Sequence, residues 1–505
     1  MSKGESYRQI LRSTSIIGGA SVLNVLIGLV RIKVAAVMLG PVGVGLIGLL
    51  NNLMLTAASI AALGTGTVGT RQIAEASAAA DPREVDVVRR AFLLGALLLA
   101  LSGTLVVWLL RGVLADHVLS DSARASDVGW LALGVGLTVM AGAHAALLNG
   151  FRRIGDLARV TVYSALLAAA AGVGALWLWG AGGLLAFLLL VPLTKYAVAQ
   201  YYVARLPATS GAAPTAAQLR QQWGAMARLG SAFMLAALAG TLGQLIVRTL
   251  VQTTLGTDAL GLFEAAWVIS MTYIGFVLSA MGTDYYPRLS AVSNDNAAIN
   301  RLVNEQTEVA LLLAGPVFVC MLGLAPWAVQ LLYSEQFGEA ATILRWQILG
   351  DILKVASWPL GFVMLAKGQG RNFMLSETLG MGVFVIGAWL GLPWIGLKAT
   401  GISFVLMYVA YLPLVYWIVR RSTGFRWQRA VAAHIAVLFA AGAFIAVVAS
   451  KNAVAGAVLG VMAAAGFGIV GLGRLAGMGN LPGSLGRVGG IARTLSAKIG
   501  LKNEY

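Results

Sequence analysis

The sequence is poor in charged residues, histidine and cysteine, and these shortages exclude several classes of protein. Only 11% of its 505 residues are charged, whereas soluble domains average about 25%. The single cysteine, Cys320, excludes an intramolecular disulfide, and the three histidines are scattered, so no metal-binding cluster is expected. No Walker A sequence occurs, so ATP is not expected to be the energy source. With so little polar sequence, no sizeable soluble domain fits within the chain.

Long apolar runs dominate what is present. Hydrophobic residues make up 59% of the chain. A window of about 20 residues, the length of a helix that crosses a bilayer, finds about fourteen candidate spans. We therefore predict an all-α integral membrane protein. The predicted spans are centred near residues 26, 56, 101, 139, 170, 192, 242, 271, 320, 354, 384, 409, 440 and 463.

The basic residues between the spans predict the orientation of the chain. The formal net charge is +16, and nearly all basic residues outside the spans lie on one side of the predicted membrane. By the positive-inside rule that side is cytoplasmic, which places both termini in the cytoplasm. This distribution explains the charge, so no nucleic-acid partner is expected. The opposite side carries only Arg111, Arg124, Lys398 and Lys451.

An internal repeat predicts two pseudo-symmetric lobes. Arg31 and Arg248 are separated by 217 residues, and so are Arg71 and Arg288. Because each copy holds an even number of spans, the copies run parallel and enclose a central cationic cavity. The predicted organisation is a six-helix lobe at 1–205, a cytoplasmic linker at 206–228, a six-helix lobe at 229–421, two additional transmembrane helices at 422–474 and a basic cytoplasmic tail at 475–505.

Six basic residues lie inside otherwise apolar spans, where a cation costs roughly 2.5–3.5 kcal/mol on insertion scales. A chain keeps such groups where they face a hydrated cavity, a counter-charge or an anionic cargo. Guanidinium groups bind phosphate oxygens bidentately and stay charged. We expect Arg345 to be interfacial and the other five to be candidates for substrate binding. The six residues are Arg31, Lys33, Lys195, Arg248, Arg345 and Lys354.

Acidic residues inside the spans are candidates for coupling transport to an ion gradient. Asp351 and Lys354 are three residues apart, so they share one helix face. They form either a self-neutralising pair or a substrate contact, and Asp351 is also a candidate for ion coupling. Glu264 and Glu377 are further candidates, with solvated span ends as the alternative. No resident cofactor is expected, and a proton or sodium gradient is the expected energy source.

Several short motifs resemble those of the Wzx-type flippases, a branch of the multidrug/oligosaccharidyl-lipid/polysaccharide exporter superfamily. The resemblance extends over about residues 6–421, and the motif WQILGDILK is the most specific. The motifs are RIK at 31–33, LGP at 39–41, YYPRLS at 285–290, WQILGDILK at 346–354 and AK at 366–367.

The resemblance implies two six-helix lobes that form a V, and a mechanism of alternating access that does not use ATP. The implied cargo is an undecaprenyl-pyrophosphate-linked oligosaccharide, moved to the outer leaflet of a bacterial inner membrane. The match is closest to flippases of O-antigen or enterobacterial common antigen repeat units. By motif, a role in binding the pyrophosphate and sugars carries over to Lys33, Arg248, Asp351 and Lys354, and less strongly to Arg31. Besides the cargo and membrane lipid, a polysaccharide polymerase and chain-length proteins are candidate partners.

Three alternatives stay open from the sequence. A lipid II flippase would handle a chemically similar cargo. A cation-coupled multidrug exporter needs buried carboxylates, whereas basic residues outnumber acidic ones inside the spans. A membrane glycosyltransferase or ligase needs a long outer loop, and the longest predicted one covers only about residues 111–127. We therefore expect a transporter and not an enzyme.

Overall fold

The computed structural model describes residues 3–78, 82–206 and 214–478, and every regular element within them is a helix. The α-helices are α1 (Lys3–Ala61), α2 (Thr65–Ala78), α3 (Pro82–Leu109), α4 (Arg111–Leu114), α5 (Ala125–Gly150), α6 (Ile154–Trp179), α7 (Leu184–Val203), α8 (Ala216–Leu255), α9 (Thr257–Ala291), α10 (Asn296–Leu332), α11 (Ala340–Ala366), α12 (Gly370–Ile395), α13 (Lys398–Thr423), α14 (Arg429–Lys451) and α15 (Ala453–Met478). The predicted basic tail at 475–505 lies mostly outside the described residues.

The helices confirm the prediction of an all-α membrane protein. Each predicted span centre falls within one of them. Among the described residues, 10 helical segments are long and apolar enough to cross a bilayer. Two of these, Gly18–Ala62 and Ile154–Val203, each cover two predicted spans, whereas α8 and α9 do not meet the same criterion. The number of spans and their orientation therefore stay predictions.

A glycine–proline corner divides α1 between the first two predicted spans. Gly40 has a φ of 63° and a ψ of −166°, so the backbone leaves the helical conformation at this point. A positive φ favours glycine because a side chain with a Cβ would clash with the backbone. Pro41 follows and has no N–H to donate to the preceding turn. The chain therefore turns here without a loop.

The N-terminal unit extends to Gly261 and also contains Leu332–Ser334. Its core includes Ile73, Phe92 and Leu147, which are all buried. Helix α8 packs against α1, α2 and α3, so it belongs to this unit and not to the one that follows. The boundary between the compact units therefore differs from the predicted linker at 206–228, and the division into six-helix lobes stays a prediction.

The C-terminal unit contains Leu262–Leu331 and continues from Glu335. Helix α13 packs against both α11 and α12. Tyr285, Leu360, Val415 and Phe425 belong to its buried core. Close approach depends on small residues: a Cβ on Gly350 of α11 would lie 2.6 Å from the ring of Phe404. This packing holds α11 in the interior of the unit, where most of its residues are buried.

The last two helices are attached firmly to the C-terminal unit. Asn304 of α10 donates to the carbonyl of Arg426 at 3.2 Å and accepts from the amide of Gln428 at 2.8 Å. These bonds fix the short connection that precedes α14. Further along, a Cβ on Gly460 of α15 would lie 2.8 Å from a carbonyl of α10, so the two backbones touch. The pair is therefore part of this unit's packed structure.

Candidate functional site

Arg31 is anchored to α7 within the N-terminal unit. Its guanidinium lies 3.9 Å from the centre of the Phe187 ring and donates a hydrogen bond to the Phe187 carbonyl. A cation over an aromatic face gains about 0.5–2 kcal/mol, more when it is shielded from water. Part of the cost of keeping Arg31 inside a span is therefore offset by the protein itself.

Lys33 and Lys195 occupy different surroundings. The ammonium of Lys33 donates to the carbonyl of Tyr333, which belongs to the same compact unit. Lys33 and Arg31 contact different parts of the unit, as expected for residues two positions apart on a helix. Lys195 lies on α7 with an exposed side chain.

Arg248 has a relative exposure of 5%. It is the most buried of the predicted substrate-binding cations in the N-terminal unit. Its guanidinium donates to the carbonyl and the side-chain oxygen of Gln244, at 3.3 and 3.4 Å, one turn earlier on α8. Arg31 and Arg248 both belong to the N-terminal compact unit. Their contacts with the cargo stay predictions.

Two residues are more deeply buried than their positions in the sequence indicated. Arg345 was expected at the membrane interface, but it is only 8% exposed and donates to the carbonyl of Leu322 at 3.3 Å. Glu264, for which a solvated span end was the alternative to ion coupling, is 2% exposed. Arg345 lies on a face that packs inside the C-terminal unit. Hydropathy along the chain indicates how deep in the membrane a residue lies. It does not indicate the face of the helix on which the residue lies.

Asp351 is held by two hydroxyl groups from another helix. Ser270 and Tyr273, both on α9, donate to its Oδ2 at 2.6 and 2.5 Å. The carboxylate is fully buried, and hydrogen bonds to a charged group contribute about 1.5–3 kcal/mol each. The other carboxylate oxygen, Oδ1, has no hydrogen-bond partner among the described residues.

Lys354 lies three residues further along α11, and its ammonium faces a cavity. Its contacts are the Met271 sulfur at 3.5 Å and the face of the Tyr408 ring at 6.0 Å from the centroid. In the described part of the chain it has no ion pair, although Asp351 and Glu377 attract it electrostatically. The predicted self-neutralising pair is therefore not a direct contact. Asp351 is held by hydroxyl groups, and Lys354 is available to an anion.

The cavity beside Lys354 has a volume of about 380 Å³, within the range of ~300–1,000 Å³ that is typical of ligand pockets. It lies between α11, α12 and α13, and Leu278 of α9 also lines it. Glu377 brings a carboxylate to the wall and accepts a hydrogen bond from the Tyr411 hydroxyl. Aromatic side chains form much of the remaining wall, namely Trp358, Phe362, Phe373, Tyr408 and Tyr411.

The structure thus brings together three of the predicted site residues in the C-terminal unit, Asp351, Lys354 and Glu377. Sequence reasoning missed the hydroxyl partners of Asp351 and the aromatic wall. Ser270 and Tyr273 are three residues apart on α9, and this polar face within a span was a signal that could have been used. The aromatic residues gave no such signal, because aromatic side chains in a membrane helix are usually core or lipid contacts.

The comparison with known families decides the identity of the chain at family level. The sequence profile of the family described as polysaccharide biosynthesis protein matches residues 10–293, more than half of the chain. The chain belongs to this polysaccharide biosynthesis protein family. Membership confirms, at the level of the family, the resemblance to Wzx-type flippases that the motifs indicated.

Two curated relatives of this chain are named Lipid III flippase. They come from Escherichia coli (strain K12) and Shigella flexneri, and each is 24% identical over 170 residues. The aligned part covers 34% of this chain and 41% of each relative. The chain thus matches less than half the length of these relatives.

Solved structures share the fold of this chain at low sequence identity. A lipid II flippase, MurJ, in an inward closed conformation, aligns with a TM-score of 0.72 and 11% identity, covering 90% of this chain and 98% of that structure. A multidrug resistance MATE family transporter of the MOP superfamily, in an inward-facing conformation, aligns with a TM-score of 0.69 and 17% identity, covering 79% and 94%. These similarities show a common fold.

Proposed function

We propose that the chain is a flippase for an undecaprenyl-pyrophosphate-linked oligosaccharide repeat unit. It moves the head group from the cytoplasmic to the periplasmic leaflet of a bacterial inner membrane, while the prenyl chain stays in lipid. The family membership and the name of the curated relatives support a lipid-linked glycan as cargo. One structural observation carries the proposal. Lys354 forms no ion pair among the described residues, and its ammonium faces a cavity inside a bundle of apolar helices.

The proposed mechanism assigns separate roles to the cations and the carboxylates. During the transport cycle, the phosphates and sugars of the cargo contact Lys33, Arg248 and Lys354. Arg31 and Lys195 are further contacts. An anion gains from a positive group most where water is excluded. Asp351 couples the cycle to a proton or sodium gradient, and Glu264 and Glu377 are the other candidates. The affinity must stay moderate, because tightly bound cargo would not leave on the outer side.

Deletion of the gene in its own host tests the proposed cargo. We expect a lipid-linked repeat unit to accumulate on the cytoplasmic leaflet and the surface polysaccharide to disappear, because its precursor no longer crosses the membrane. The measurement is mass spectrometry of extracted polyprenyl-linked lipids, with a plasmid-borne copy of the gene as the control. Accumulation of lipid II with cell lysis would identify a lipid II flippase instead. Unchanged lipids together with drug sensitivity would favour a multidrug exporter.

A further inference from the structure

The aromatic cavity of the C-terminal unit has features that recognition of a phosphate alone does not need. We propose that it is a glycan subsite, which binds a sugar residue of the cargo head group apart from its pyrophosphate. This inference rests on the proposed function and specifies which part of the cargo the cavity recognises. It follows from the aromatic wall, the position of Glu377 and the size of the cavity.

Aromatic faces suit the flat side of a pyranose ring. The axial C–H bonds of a sugar carry a small positive charge, and the face of an aromatic ring is the negative part of its quadrupole. Trp358 and Phe362 lie 4.4 Å apart between ring centroids, with an angle of 52° between their planes. Tyr408 and Phe373 are only partly buried and approach the same space from α13 and α12. The cavity therefore presents aromatic side chains from three helices.

Polar groups at the wall match sugar hydroxyls. Glu377 is exposed, and one of its carboxylate oxygens accepts from Tyr411. Each carboxylate oxygen accepts more than one hydrogen bond, so Glu377 can also accept from a sugar hydroxyl. Lys354 carries the opposite charge, and its ammonium can donate a hydrogen bond to a sugar hydroxyl. A wall that contains both an ammonium and a carboxylate is unsuited to an alkyl chain, which forms no hydrogen bonds.

Size also favours a sugar residue over a bare phosphate. A phosphate group held by Lys354 leaves most of a cavity of about 380 Å³ unfilled. A sugar ring brings both apolar faces and hydroxyl groups. Specificity in such pockets comes from a few polar groups set in a mostly apolar wall, which is the arrangement around Lys354 and Glu377.

Binding to two lipids that differ only in the glycan tests this inference. Purified protein in lipid nanodiscs is titrated with undecaprenyl pyrophosphate and with the lipid-linked repeat unit extracted from the deletion strain. We expect the wild type to bind the sugar-bearing lipid more tightly. Tyr408→Leu removes one aromatic face and should reduce that affinity about 2- to 10-fold, with a smaller loss for undecaprenyl pyrophosphate, which has no sugar ring to contact that face. Trp389→Leu, at an exposed position of α12 outside the cavity, is the matched control.

The outcomes separate this inference from the proposed function. Equal binding of the two lipids by the wild type would overturn the glycan subsite, and so would an equal loss for both lipids in Tyr408→Leu. The second result would assign the cavity to the lipid carrier. If the wild type bound neither lipid, that result would contradict the proposed function as well. If Tyr408→Leu does not purify as a monodisperse protein, Phe373→Leu removes a face from α12 and gives the same comparison.

Discussion

Lys354→Glu is expected to abolish export of the surface polysaccharide while the protein stays in the membrane. The substitution puts a carboxylate at the cavity wall beside Glu377, where it repels an anionic cargo. Truncating one partner of a buried charge pair at a binding interface, here the pair that Lys354 is proposed to form with the cargo, costs about 2–5 kcal/mol. Export should therefore fall at least ~30-fold. The measurement is the amount of surface glycan in the deletion strain complemented with each variant, normalised to the protein in the membrane fraction.

Two controls define this result. Lys354→Arg keeps the positive charge and should retain most of the export. Lys398→Glu makes the same change of charge at an exposed position at the start of α13, outside the cavity, and should export normally. Normal surface glycan in cells that carry Lys354→Glu would remove this ammonium from the mechanism.

The second large effect is expected at Asp351. Asp351→Leu leaves the hydroxyls of Ser270 and Tyr273 without their acceptor, and a buried polar group without a partner costs about 1–3 kcal/mol. We expect a lower melting temperature and loss of export. A triple variant combines Asp351→Leu with Ser270→Ala and Tyr273→Phe and so removes both hydroxyls as well. It should restore the melting temperature without restoring export. Thermal unfolding of the purified variants and surface glycan in complemented cells measure the two effects.

This set of variants separates a structural role of the carboxylate from a role in coupling. Ser270→Ala with Tyr273→Phe alone serves as the matched control, since it keeps the carboxylate and loses the hydrogen bonds. If the triple variant exports as well as that control, Asp351 only ties α9 to α11. If it stays inactive although it is as stable as the wild type, the carboxylate itself takes part in transport.

The positions of the helices were predictable from the sequence because a bilayer requires long apolar runs. Every predicted span centre lies in a helix. The site could be located in part for the same reason: a charge inside an apolar run is costly, so Asp351 and Lys354 stood out. Their spacing correctly placed them on neighbouring positions of one helix.

The partners of those charges could not be predicted. Ser270 and Tyr273 lie 81 and 78 residues from Asp351 along the chain, and helix packing brings them together. Most helices here are apolar on several faces, so hydropathy does not identify which face meets which neighbour. For this reason the contact of Arg31 with Phe187, the burial of Glu264 and the aromatic wall around Lys354 emerged only from the structure.

Translocation by the purified protein in liposomes tests the proposed flippase activity without the rest of the cell. The lipid-linked repeat unit, labelled on its glycan with a fluorophore, is incorporated into proteoliposomes without ATP, and a membrane-impermeant reductant quenches the label on the outer leaflet. We expect wild-type protein to expose the inner-leaflet pool to quenching. Lys354→Glu protein should leave about half of the fluorescence protected, as in protein-free vesicles with the label equally divided between leaflets. Protection of the same fraction by wild-type protein, under an imposed proton or sodium gradient, would contradict the proposed flippase activity.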